Sequence, residues 1–227
     1  MKNIDKSLEL TRSRIGRIEQ KYGREPGSVK LLAVSKSRST TEICAARECG
    51  QIDFGENYVQ EAVDKIHQIN DPRLIWHFIG PVQSNKTRQI ATHFQWVHSV
   101  DRIKIAQRLN EARPEHLPPL NICIQINISH ENSKSGVSPD DLQQLVAECR
   151  NLPHLKLRGL MALPAPSTDI ELQRMPFRQV KMLLDAVSST VLPLDTLSIG
   201  TTQDMEAAIA EGATIVRIGT ALFGARS

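Results

Sequence analysis

The sequence predicts an α/β protein folded as a closed (β/α)8 barrel with one extra helix at its amino end. Eight short apolar runs alternate with segments of helical spacing, which favours right-handed βαβ units and a parallel sheet. No linker or change in composition divides the 227 residues, so we interpret residues 1–227 as one domain. The last helical segment is short, and the amphipathic segment that opens the chain can cover the face it leaves bare.

An open, doubly wound sheet is the alternative, because eight parallel strands also allow it. The predicted strands cover residues 31–36, 52–55, 74–79, 94–100, 120–128, 155–163, 194–199 and 214–218. The predicted helices cover residues 3–22, 39–50, 58–69, 85–93, 102–113, 139–151, 171–187 and 204–211, and one short turn follows residue 218.

Local signals justify the first elements in order. Apolar residues at helical spacing from Ile4 to Ile18 predict the first helix, and Gly23 ends it. The segment from Ser39 to Glu42 is typical of a helix cap, and an alanine-rich helix follows it. Short apolar runs then alternate with helical segments up to residue 113.

Prolines mark the loops of the second half. Pro114 and Pro118 precede an alternating strand, and Pro164 and Pro166 precede the long helix at 171–187. The final two strands end in segments rich in glycine and hydroxyl side chains, at 198–202 and 217–220.

Charge and cysteine content exclude several classes of function. The chain has 28 basic and 25 acidic residues, so no polybasic surface for nucleic acid or membrane is indicated. The cysteines lack the paired spacing of a zinc site or a disulfide framework, and we expect reduced thiols and no metal. The amino end lacks the apolar core of a signal peptide, and no stretch approaches a membrane span. We therefore expect a cytoplasmic protein, and a monomer.

Lys36 stands at the end of the first apolar run. Leu32, Val34 and Lys36 share one face of a strand, since alternate side chains point the same way. If that face is the core, burial depresses the pKa of the lysine and makes its amine a usable nucleophile. The alternative is a lysine that simply leaves the strand for solvent.

The ends of the seventh and eighth strands predict an anion site. In such barrels the loops after these strands frequently bind phosphate. Gly200 and Gly219 would let backbone amides approach an anion, and Ser198, Thr202 and Thr220 offer hydroxyl donors. Each glycine alone has a simpler explanation as a turn residue. The two segments belong to adjacent strands, however, and together they are a stronger indication of an anion site.

Arg217 shares its strand face with Ile215, so we expect it inside the barrel mouth. Closure of the barrel places it near Lys36, and a nearby cation lowers the pKa of a lysine. A structural ion pair is the alternative for a buried arginine. A phosphorylated aldehyde suits such a pocket, and pyridoxal 5'-phosphate is the common cofactor of that description. Asn57 and Met161 also lie at strand ends and are predicted to contact it.

Residues 80–87 nearly match the nucleotide-binding P-loop but have Asn85 where that pattern requires glycine. We therefore rank nucleotide hydrolysis low. His77, on the preceding strand, is interpreted as a packed or rim histidine and not as an acid or base.

Several blocks of the sequence resemble those of the pyridoxal phosphate homeostasis proteins. The blocks are AVSK at 33–36, FGENY at 54–58, WHFIGPVQSNK at 76–86, NSKSG at 132–136, GLM at 159–161, VRIGT at 216–220 and FG at 223–224. One block departs, since the family usually reads Met-Ser-Met-Gly-Met-Ser where residues 197–202 read LSIGTT.

This resemblance implies the barrel of the alanine racemase N-terminal domain. It further implies a cofactor held as a Schiff base on Lys36, with phosphate around Ser198, Gly219 and Thr220. Arg217 would face the pyridine nitrogen.

The resemblance also implies a function. The family carries and buffers pyridoxal phosphate and keeps vitamin B6 and amino-acid pools in balance, so amino acids and cofactor-free enzymes are the expected partners. We expect no catalysis, because a racemase of this fold takes one base from a second domain and an arginine at the pyridine nitrogen disfavours its protonation. An amino-acid racemase or decarboxylase is the alternative.

Overall fold

Eight parallel strands close into a barrel in chain order in a computed structural model, which describes residues 4–129 and 135–224. The strands are β1 (Lys30–Val34), β2 (Asp53–Glu56), β3 (Ile75–Phe78), β4 (Trp96–Val100), β5 (Leu120–Ile126), β6 (Leu155–Ala162), β7 (Thr196–Ser198) and β8 (Ile215–Ile218). The helices are α1 (Ile4–Lys21), α2 (Thr40–Glu48), α3 (Val59–Ile69), α4 (Thr87–His93), α5 (Ile103–Ala112), α6 (Leu142–Cys149), α7 (Ile170–Val187), α8 (Met205–Ala210) and α9 (Thr220–Phe223).

The closed barrel confirms the predicted fold and excludes the open sheet. β8 pairs with β1, and Leu32 lies opposite Arg217 in their register. α9 has four residues, and α1 packs against α2, α8 and α9. The extra helix therefore covers the side of the barrel that the short last helix leaves bare.

Local chemistry explains where the early helices begin and end. Ser39 caps α2 in a reciprocal arrangement with Glu42, each side chain accepting from the backbone of the other. Gly50 follows α2 with φ of +77°, a conformation that glycine adopts without a steric penalty. The predicted start of α4 at residue 85 is a short 3-10 turn, Ser84–Lys86, and the α-helix begins at Thr87.

The two faces of the sheet differ in chemistry. Outward side chains such as Ala33, Phe54 and Val97 are fully buried against the helices in one large apolar core. Inside the barrel, Trp96, Cys123 and Met161 form a small separate apolar cluster. The rest of the interior is largely polar, and this polar interior lies directly beneath the carboxyl ends of the strands.

Candidate functional site

A cavity of about 340 Å³ opens at the carboxyl ends of the strands. This volume suits a ligand of cofactor size. It is lined by Val34, Lys36, Arg38, Asn57, Ile79, Leu163, Thr201, Thr202, Gln203, Arg217, Gly219 and Thr220. The barrel thus brings together six of the predicted site residues: Lys36, Asn57, Thr202, Arg217, Gly219 and Thr220.

Lys36 lies two residues beyond β1, in a turn that is held from both sides. Ser37 has φ of +59°, an uncommon conformation for a residue with a side chain. Its amide donates to Glu61 Oε1 at 2.6 Å, and the Arg38 amide donates to the Ser35 carbonyl at 3.0 Å. These bonds fix the backbone from which the lysine projects.

A buried charged cluster supports that turn, and sequence analysis missed it. Lys65 Nζ donates to the Ser35 carbonyl at 2.8 Å, to Glu56 Oε1 at 2.9 Å and to Glu61 Oε1 at 2.5 Å. Ser35 Oγ donates to Glu56 Oε1 at 2.5 Å. The spacing of Glu61 and Lys65 by four residues was the available signal, but such pairs usually lie on an exposed helix face.

Burial dominates the electrostatics of this cluster. Desolvation raises the pKa of Glu56, although Lys65 and Ser35 oppose the shift. Glu56 is fully buried, and its Oε2 has no hydrogen-bond partner among the described residues. The cluster is therefore stable only while Lys65 is present to balance the carboxylate.

Hydroxyl and glycine residues line the other end of the cavity. Gly219 precedes α9, Thr220 begins it, and Thr202 lies on the neighbouring loop. Gly200 does not line this cavity but a smaller adjoining one of about 90 Å³. A Cβ at Gly200 would come within 2.5 Å of Ala208 Cβ, so the loop requires glycine there.

Two predicted contacts, Met161 and Ser198, are not among the residues that line the cavity and lie deeper in the barrel. Met161 is buried in the cluster with Trp96 and Cys123. Ser198 is fully buried, and its hydroxyl is already bonded to Arg217 at 2.8 Å and to His98 at 2.8 Å. That position does not support the Ser198 hydroxyl as a phosphate donor.

Arg217 lies at the boundary between the cavity and the barrel interior. One of its nitrogens donates to both oxygens of Ser198, and the other donates to the Ala162 carbonyl at 2.9 Å. Burial lowers the pKa of Arg217 to about 10, with Asp204 opposing the shift. The guanidinium therefore stays charged at neutral pH while its hydrogen bonds go to neutral oxygens, not to a carboxylate as in the alternative considered above.

The remaining sequence features are the cysteines, the candidate metal ligands and membrane spans, and the NSKSG block. The four cysteines are free thiols. Within residues 4–129 and 135–224, no three histidine, cysteine or acidic side chains are grouped as a metal site, and no helix is long and apolar enough to cross a membrane. Residues 132–134 of the NSKSG block lie outside the described residues.

The sequence of this chain matches one family model and is similar to known proteins. The alanine racemase N-terminal domain family matches residues 7–227. The pyridoxal phosphate homeostasis protein of Pseudomonas aeruginosa is 54% identical over 226 residues, which cover 100% of this chain and 97% of that protein.

The fold of this chain is similar to that of several solved structures. PipY of Synechococcus elongatus, with pyridoxal phosphate bound, has a TM-score of 0.85 and 35% identity, covering 97% of this chain and all of that chain. An alanine racemase of Clostridium difficile has a TM-score of 0.79 and covers 100% of this chain and 57% of that chain. At 14% identity the racemase indicates a shared fold alone.

Proposed function

This chain belongs to the family of the pyridoxal phosphate homeostasis proteins, and from that membership we propose that it binds pyridoxal 5'-phosphate. The bound cofactor would be carried and buffered, which balances intracellular vitamin B6 and amino-acid pools. One observation carries the proposal: Lys36, Arg217 and Thr220, which come from three distant parts of the sequence, line one cavity.

The donor set of the cavity fits this cofactor. Lys36 supplies an amine for the aldehyde, and Arg217 supplies a charged donor for the ring nitrogen. Thr202, Gly219 and Thr220 supply hydroxyl and backbone donors for the phosphate. Asn57 Oδ1 is buried without a hydrogen-bond partner in the described part of the chain, which suits a site that a ligand completes.

Each end of the cavity would have a separate task. The turn at Lys36 holds the amine in place through its bonds to α3, and the loops after β7 and β8 orient the phosphate. The bound cofactor supplies an electrophilic imine carbon and a conjugated ring that can accept electrons. An amino acid can exchange with Lys36 at that carbon whether or not any further reaction occurs.

Binding without catalysis is the finer part of the proposal. The ring of pyridoxal phosphate accepts electrons best when its nitrogen is protonated. Arg217 stays charged at neutral pH and can only donate a hydrogen bond to that nitrogen, without transferring a proton to it. A charged guanidinium at that nitrogen would keep it unprotonated. The names of the relatives support a carrier, and the racemase fold keeps an amino-acid racemase or decarboxylase as the second candidate.

The direct test is the fate of the cofactor. The purified protein, incubated with pyridoxal phosphate, should show a visible absorption band that borohydride removes, and peptide mapping should place the reduced label on Lys36. Lys36→Ala should lose the label, whereas Lys86→Ala, at a lysine outside the cavity, should keep it. A label on Lys86 in the wild-type protein would contradict the assignment.

A further inference from the structure

A continuous row of hydrogen-bonded side chains crosses the inside of the barrel. From the cavity inward, Arg217 donates to Ser198 Oγ at 2.8 Å, and Ser198 Oγ lies 2.8 Å from His98 Nδ1. His98 Nε2 lies 2.9 Å from His77 Nδ1, and His77 Nε2 lies 3.0 Å from Asp53 Oδ1. We call these five residues the interior relay.

The interior relay reaches from one end of the barrel to the other. Its five members come from five strands, β2, β3, β4, β7 and β8, and all are buried. At the far end Lys30 Nζ, near the amino end of β1, donates to Asp53 Oδ1 at 2.9 Å. Arg217 lines the cofactor cavity, whereas Asp53 lines a separate cavity at the opposite face.

Packing fixes the two imidazole rings. The His77 ring stacks on Trp96 with centroids 5.4 Å apart and planes 9° apart. The His98 ring contacts both of these rings, its centroid 5.7 Å from that of Trp96 and 5.1 Å from that of His77. Turning either ring over would put carbon atoms where its two bonded nitrogens lie, so the hydrogen bonds set which nitrogen faces which neighbour.

The directions of the pKa shifts indicate which groups of the interior relay are charged at neutral pH. Burial alone would raise the pKa of Asp53, but the hydrogen bonds from His77 and Lys30 outweigh it and lower the pKa. Burial lowers the pKa of His77 against the opposing effect of Asp53, and lowers the pKa of His98 further with repulsion from His77 and Arg217. At neutral pH the carboxylate is therefore ionised and both rings are neutral.

One arrangement of protons then satisfies every contact. An ionised Asp53 can only accept, so His77 Nε2 carries the proton and His77 Nδ1 accepts. His98 Nε2 must therefore carry its proton, and its Nδ1 accepts the Ser198 hydroxyl. Ser198 Oγ, having donated its proton, accepts from Arg217, which can only donate.

We propose that Asp53, His77, His98 and Ser198 are positioning residues that aim the charged guanidinium of Arg217 at the ring of the bound cofactor. Every proton of the relay is drawn toward Asp53, so Ser198 Oγ is a stronger acceptor than an isolated hydroxyl and holds the guanidinium in one orientation. The role toward the cofactor rests on the proposed function, but the proton arrangement belongs to the protein alone.

The proton arrangement is tested first, on the cofactor-free protein at pH 7, by ¹⁵N NMR of the histidine rings. His77 and His98, assigned with His77→Gln and His98→Gln, should each carry the proton on Nε2. His93 is an internal control, because its Nδ1 lies 2.9 Å from the Gln89 carbonyl and must donate. A proton on Nδ1 of His77 or His98 would overturn the inference.

The effect on the cofactor is tested with two pairs of variants loaded with pyridoxal phosphate. Ser198→Ala and the remote Asp53→Asn should move the absorption band in the same direction and weaken cofactor retention about two- to ten-fold. Thr196→Val, two residues from Ser198 on the same strand, and Glu19→Gln, a buried carboxylate near the same end as Asp53, should leave the band unchanged.

The outcomes separate the two proposals. If the wild-type protein binds the cofactor and Asp53→Asn behaves as Glu19→Gln does, the relay has no role at the cofactor and the inference fails alone. If the wild-type protein never acquires the band, the proposed function fails, while the NMR result still decides the proton arrangement.

Discussion

Two cations of the cavity, Lys36 and Arg217, are supported in opposite ways. The turn that carries Lys36 rests on the cluster of Ser35, Glu56, Glu61 and Lys65, where one ammonium meets two carboxylates. The hydrogen bonds of Arg217 go instead to the hydroxyl and carbonyl of Ser198 and to one further carbonyl. Asp204 acts on Arg217 only through space, and the carboxylate of the interior relay, Asp53, lies four hydrogen bonds away.

This difference matches what each residue is proposed to do. At Lys36 the cluster has only to fix the backbone of the turn, so its charges can neutralise one another. At Arg217 the charge itself must act on the ligand, and a carboxylate in contact would cancel it. Neutral acceptors satisfy the buried donors and leave the positive field directed at the cavity.

Removal of the cation from the cluster should give the largest effect. Lys65→Met leaves the Glu56 carboxylate buried without its main partner, which should destabilise the protein by about 3 to 5 kcal/mol. Urea unfolding measures this loss. Lys21→Met, which breaks an exposed pair with Glu206, should barely change the midpoint. Equal effects of the two variants would show that the cluster is not a buried ion pair in solution.

Mild acid should destabilise the interior relay, which supports Arg217. The pKa values of the buried His77 and His98 are lowered. Below pH 6.5 these two side chains therefore bind protons in the unfolded chain that they do not bind in the folded chain. Stability present above pH 6.5 should therefore fall as the pH drops below 6.5, by at most about 1.4 kcal/mol per pH unit for each ring.

The comparison is the slope of unfolding free energy against pH. His98→Gln should show a shallower slope than the wild-type protein between pH 6.5 and 5. An unchanged slope in His98→Gln would mean that this ring is already protonated in the folded protein.

The phosphate end should show a smaller, ligand-specific effect. Thr220→Ala removes a hydroxyl that would donate to a charged phosphate, a bond worth about 1.5 to 3 kcal/mol. Retention of pyridoxal phosphate should weaken about ten-fold or more, and binding of unphosphorylated pyridoxal should change little. Equal losses for both ligands, measured by absorption titration, would place the phosphate elsewhere.

Much of the fold was predictable because strand and helix periods are local. The predicted and observed strands agree to within about two residues, and β6, predicted at 155–163, is Leu155–Ala162. The closure of the barrel was predicted from the short last helix and the amphipathic helix that opens the chain. What a local pattern cannot give is the depth of a side chain along the barrel axis, which depends on the stagger between strands.

Ser198 illustrates that limit. Strand alternation correctly points it inward with Arg217, but β7 pairs with β8 so that Ser198 lies opposite Ile215, below the cavity. His77 was interpreted as a packed or rim histidine, and its bond to His98 on the next strand could not be predicted from either strand alone. Lys65 was missed because two of its partners, Ser35 just after β1 and Glu56 at the end of β2, meet it only when α3 docks on the barrel.

The central claim is that this barrel holds its cofactor without using it for catalysis, and exchange of the α-proton tests it most directly. The loaded protein is incubated with L- and D-alanine in deuterated water, with Lys36→Ala and free cofactor as the background. Our account predicts no exchange or racemisation above that background. Exchange on the order of 1 per second or faster, the rate of an ordinary enzyme, would contradict it.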